Sequence, residues 1–156
     1  MKGVMLDKGF EYYTYMDAIL EPIKDTIQDY NWLITECDCN IYPDDRLLGD
    51  YVWLSGKELL EIVKAYHIQF IWAVFSAIPK EIPLEEVLKY DYPYADMNGG
   101  FWKNPIGIQH PLAAIEVVPF DSSFVLFIAK DDALVDRFSQ HFPFSVDLES
   151  YNAEVR

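Results

Sequence analysis

"AAIEVVPFDSSFVLFIA", residues 113–129, decides the fold class. Two runs of strand-forming residues, "AAIEVV" (113–118) and "SFVLFIA" (123–129), flank "PFDSS". A connection of that length joins neighbouring antiparallel strands, so the segment predicts a hairpin with a loop of about four or five residues. Just downstream, "KDDALVDRFSQHF" has helical character. Asp131 and Asp132 stand at its start and His141 near its end, both complementing the helix dipole, and Pro143 stops it. The closing "SVDLESYNAEVR" carries no strong signal and is expected to fray.

Upstream, "IQFIWAVFSAI" (68–78) predicts a long strand that is apolar on both faces: Phe70, Trp72 and Val74 on one, Ile71, Ala73 and Phe75 on the other. That pattern suits a central strand covered on both sides, or a strand with one face in an interface. Ser55 opens the clearest helix, with Glu58 three residues on at the capping-box spacing. "DYNWLITECDCNIY" (29–42) is rich in strand formers, and "GVML" (3–6) fits a first strand. Phe10 to Leu20 has a helical spacing of apolar residues that Pro22 interrupts or kinks, and Pro83 starts a short helix, "PLEEVLKY". The order is roughly βαββαβαββα. It predicts a single α+β domain over 1–156, with a mainly antiparallel sheet of about 5–6 strands and three to four helices.

The chain has 156 residues, enough for one self-sufficient core, and a globular composition: half apolar and 16% aromatic. Its net charge is −14, and each half holds 13 acids and 6 bases, so the acidity is spread along the chain. A field of this sign repels nucleic acid and anionic membrane surfaces and attracts a basic protein. With no visible signal peptide and no apolar run long enough to span a bilayer, the expected compartment is the cytoplasm.

Sequence motifs for catalysis are missing. There is no Walker loop, no G-x-S-x-G elbow and no H-E-x-x-H helix. Cys37 and Cys39 lie two residues apart on one strand face, where a disulfide would be strained, and no second Cys/His cluster completes a zinc site. The adjacent acids Asp44–Asp45, Glu85–Glu86 and Asp131–Asp132 have turn or helix-end explanations. The expectation is therefore no cofactor and no metal. His67 and His141 each follow or close a helix, which leaves His110 as the one histidine to nominate as a general base.

One stretch follows neither period: "KYDYPYADMNGGFWKNPIGIQHP" (89–111). Its rings sit on a segment made irregular by Pro93, Asn98, Gly99 and Gly100, and Asn98-Gly99 signals a hairpin arm. Long loops of this kind are often functional, and tyrosine and tryptophan are favoured in interfaces. The candidate binding residues are Tyr92, Tyr94, Asp96, Phe101, Trp102 and His110. If the rings of Tyr92, Tyr94 and Trp102 point outward together, the loop is an interface; if inward, it is a lid.

Three segments, "ILEPI" (19–23), "DYNWLI" (29–34) and "DSSFVLFIAKDDALVDRF" (121–138), together resemble a family of small proteins from Bacillus-type bacteria classed as a domain of unknown function. The matching motifs are structural: a kinked helix, a strand and a hairpin–helix. They bring no active-site residue with them. In character the chain is similar to bacterial immunity proteins, which occlude a toxin. The first functional expectation is a non-catalytic interaction protein that binds a basic partner through an aromatic and acidic surface. The alternative is a small-molecule binder or enzyme with a pocket under the 90–111 loop, lined by His110, Asp96 and a tyrosine hydroxyl. A homodimer through strand 68–78 is a third expectation.

Overall fold

The structure, a computed structural model, describes residues 1–8 and 14–154. Its strands are β1 (Lys2–Leu6), β2 (Tyr30–Cys39), β3 (Tyr51–Ser55), β4 (Phe70–Pro79), β5 (Ile115–Phe120), β6 (Phe124–Ala129) and β7 (Val146–Asp147). They form one sheet in the order β3-β2-β4-β5-β6-β1-β7, and every pairing is antiparallel. The α+β class with an antiparallel sheet is as expected. The described residues hold seven strands, above the expected five or six, because the chain's end contributes β7.

The central hairpin closes more tightly than the sequence suggests. Phe120 pairs with Phe124, and Ser123 N–H returns to Phe120 O at 3.0 Å. Asp121 and Ser122 between them both take positive φ, 50° and 56°, the geometry of a type I′ turn.

Helices cover the first face of the sheet. They are α1 (Met16–Leu20), α2 (Lys24–Ile27), α3 (Gly56–Ala65) and α5 (Asp132–His141). The helix expected from Phe10 lies partly on residues 9–13, outside the described ones. From Met16 it is helical, and Pro22 opens a 3₁₀ turn, Glu21–Ile23, that separates α1 from α2. Ser55 and Glu58 make both bonds of the capping box, at 3.1 and 2.9 Å. The first turn of α3 presses onto the end of α2 so closely that a Cβ at Gly56 would stand 2.0 Å from Ile27 O. That same carbonyl accepts the indole N–H of buried Trp32 at 3.0 Å. Asp131 caps α5 through Ala133 N–H, and Phe138 of α5 stacks on Phe127 of β6 with centroids 4.3 Å apart.

The second face is covered differently. The short α4 (Leu84–Val87), an irregular segment over residues 88–112, and α6 (Leu148–Glu154) lie across it. The terminal segment does not fray within the described residues. Asp147 caps α6 by accepting Ser150 N–H and Oγ–H at 2.9 and 2.8 Å, and Leu148 is buried against the sheet. Strand β4 sits between β2 and β5, with Ala73 to Ile78 buried. A dimer through this strand would have to displace the layers already packed on it. No helix of the described residues is long and apolar enough to cross a membrane.

Candidate functional site

The segment 88–112 is a lid with two sides. Pro93, Ala95, Phe101, Ile106 and His110 point into the second face and are buried. Tyr92, Tyr94 and Met97 point away from it; Tyr94 is 51% and Met97 91% exposed. Inward and outward residues alternate from Tyr92 to Asp96, as in an extended chain lying on a surface. Neither of the two outcomes posed for the rings holds alone. Tyr92 and Tyr94 face outward, whereas Trp102 is half-buried among Phe120, Phe124 and Tyr151.

The Asn98-Gly99 pair does not turn a hairpin. Asn98 has φ −94°, outside the left-handed region that such a turn requires, and its side chain accepts Gly100 N–H at 2.9 Å. It thereby caps a 3₁₀ turn, Gly99–Trp102, that drops Phe101 into the core. The flanking chain finds its hydrogen bonds on the sheet and leaves no pair of strands to join.

Three polar anchors on the second face hold the lid's main chain. Thr35 Oγ donates to Pro93 O at 2.7 Å. Glu36, at a break in the β2–β4 register where its φ is +53°, takes the N–H groups of Ala95 and Asp96 with its two carboxylate oxygens. Glu116, on β5 opposite Ser76 of β4, accepts Gln109 N–H at 2.9 Å. The Gln109 side chain then brackets Tyr94, accepting its N–H at 3.0 Å and donating to its carbonyl at 3.1 Å. At the far end, Asn152 of α6 donates to Phe101 O at 2.9 Å.

Glu116 is fully buried, and burial pushes its carboxyl up to about 7, against the pull of its bonds from Gln109. Its Oε1 and the neighbouring Ser76 Oγ have no hydrogen-bond partner. An ionised carboxylate here has one oxygen unpaired in an apolar setting, so the neutral acid fits the site better.

His110 lies beside this anchor, also buried. Leu112 N–H donates to its Nδ1 at 3.1 Å, so the ring proton is on Nε2, which donates to Val87 O at 2.9 Å. Both nitrogens are committed to the backbone, and the edge of the Tyr90 ring lies against the imidazole at 5.2 Å between centroids. His110 joins the lid to α4, and its ring has no nitrogen left for a reacting proton. A depression of about 270 Å³ does occur in the lid, lined by Asn98, Gly100, Phe101, Pro105, Gly107, Ile108 and Gln109. Neither His110 nor Asp96 lines it.

Of the sequence candidates, the structure brings Tyr92, Tyr94 and Asp96 together on the outer side and places Phe101, Trp102 and His110 on the inner side. Sequence reasoning passed over Thr35, Glu36, Gln109 and Glu116. The signal for Glu116 was its place in the strand alternation, on the same face as Val118 and Phe120. A carboxylate there is either solvated or bonded from above.

Asp44 is held down to about 2 by side-chain and main-chain bonds from Arg46, which also reaches Glu58. Cys37 and Cys39 are free thiols with Sγ atoms 3.6 Å apart, and the contact together with burial pushes the Cys39 thiol up. Among the described residues no group of acids, histidines and cysteines is arranged to hold a metal ion. No protein-family model, no curated protein and no solved structure matches the chain.

Proposed function

We propose that the protein is a non-catalytic binding protein that presents the outer side of its lid to a basic protein partner. The observation that carries this reading is the contrast between a pinned backbone and exposed large side chains. The main chain of residues 93–96 is bonded to Thr35, Glu36 and Gln109, while Tyr92, Tyr94 and Met97 stand in solvent. Anchoring of this kind removes much of the ordering cost of binding, and tyrosine adds contact area with a polar tip. Asp91 precedes Tyr92 and Asp96 follows Tyr94 by two residues, and the net charge of −14 steers a basic surface toward them.

The narrower form of this proposal is an immunity-type role, in which the lid occludes a basic toxin domain. A small-molecule site under the lid is less well supported, because Ala95, Phe101 and Ile106 fill the space between lid and sheet.

Affinity capture from host extract, run in parallel with wild type and a Tyr92→Ala/Tyr94→Ala double variant, tests the proposal. A basic protein retained by wild type, lost from the folded variant and weakened by salt is the expected result. Equal retention by both proteins would remove the tyrosines from the reading.

A further inference from the structure

Strand β3 ends the sheet, and its hydrogen-bonding edge is open. Its register partner for Ser55 is Asn31, yet Ser55 N–H donates to Glu58 Oε1. Ser55 therefore points its main-chain groups away from β2. Antiparallel strands alternate inward and outward groups along their length, so the N–H and C=O of Trp53 and Tyr51 also point outward. None of the loop, turn and cap hydrogen bonds among the described residues uses the main chain of Tyr51 or Trp53.

Exposed sheet edges are normally blunted by lysine, proline, a bulge or an inward charge. The sequence of β3, "YVWLS", has none of these. The side chains of Tyr51 and Trp53 are half-buried on the lid side of the sheet, and the Tyr51 ring meets Tyr92 edge-on at 6.1 Å. The open edge is thus continuous with the outward tyrosines.

We infer that β3 receives an extended, lysine- or arginine-rich segment of the protein partner as an added strand. This rests on the reading of the lid as a docking face and specifies how the partner lies on it. Main-chain bonds to Tyr51 and Trp53 fix the strand, and alternate side chains of the guest run along Tyr51 and Tyr92, where a cation meets an aromatic face. Asp50 and Asp91, adjacent in sequence to those two rings, supply the matching charge. A second copy of this chain is a poor occupant, since each copy carries −14.

The test uses a short synthetic peptide of alternating lysine and threonine, and the same peptide with alternate amides N-methylated to abolish strand pairing. Amide exchange and resonance shifts of the whole protein are followed by NMR. The parent peptide is expected to protect the Tyr51 and Trp53 amides and to bind about tenfold or more tightly than the methylated one. Equal binding of both peptides, with shifts at Tyr92 and Tyr94 but no protection at β3, overturns strand addition and leaves the tyrosine face standing. Parent-specific protection at β3 without any shift at Tyr92 or Tyr94 overturns the link to that face. Binding of neither peptide overturns both, and a protein dimer that protects β3 without peptide assigns the edge to a second copy.

Discussion

Gln109 donates its main-chain N–H to Glu116 at 2.9 Å, which ties the lid to the middle of the sheet. Through the Gln109 side chain, the same connection reaches the main chain of exposed Tyr94. A buried acid and the main chain of a surface tyrosine thus share one short run of hydrogen bonds.

Burial raises the Glu116 carboxyl from 4.5 to about 7 in the folded protein. The folded state therefore holds this proton more tightly than the unfolded chain. Its stabilising contribution is complete below pH 4.5 and is lost as pH rises to about 7, an effect of order 3 kcal/mol. Glu116→Gln keeps the shape and removes the charge. Chemical denaturation should find the variant gaining on wild type steadily across that window and level above it. A stability difference that does not vary with pH contradicts the assignment.

Thr35→Val removes the 2.7 Å bond to Pro93 O and leaves a buried carbonyl unpaired. The expected cost is about 1–3 kcal/mol. Faster amide exchange confined to residues near 93–96 should accompany it, because the lid loosens before the sheet does. Uniform exchange changes across β2 and β4 would assign Thr35 to the sheet alone.

Gly56→Ala drives a methyl group to within 2.0 Å of Ile27 O, with backbone on both sides of the clash. Destabilisation of about 3 kcal/mol or more is expected, well beyond the ordinary helix gain from alanine. A melting temperature equal to that of wild type would show that α2 and α3 do not approach as described.

Much of this architecture was legible in the sequence where the cause is local. The Ser55–Glu58 box, the acidic start of α5 and the 113–129 hairpin each act within a few residues, so spacing alone reveals them. The cap of α6 was equally local, from Asp147 to Ser150, but the segment around it is polar and lacks a long apolar stripe. The lid was not legible for a different reason. Thr35 reaches Pro93 across 58 positions and Glu36 reaches Ala95 across 59, and no periodicity encodes such pairings. Asn98-Gly99 misled because an asparagine that can turn a hairpin can also cap a helical turn, and the sheet beneath the lid decides between the two.

The outward face makes a prediction separable from stability. Tyr92→Ala/Tyr94→Ala removes rings that are 41% and 51% exposed, so the fold should lose no more than about 1 kcal/mol. Charge reversal at Asp91 and Asp96 should slow association and flatten its salt dependence. Thermal melting beside surface plasmon resonance with the captured partner separates the two effects.

Hydrogen–deuterium exchange on the complex with that partner locates the docking face without any mutation. Protection should appear in residues 90–98, while the amides of α3 and α5 on the opposite face exchange as in the free protein. Protection centred on α3 or α5, with 90–98 unchanged, would place the binding surface on the wrong side of the sheet for the function proposed.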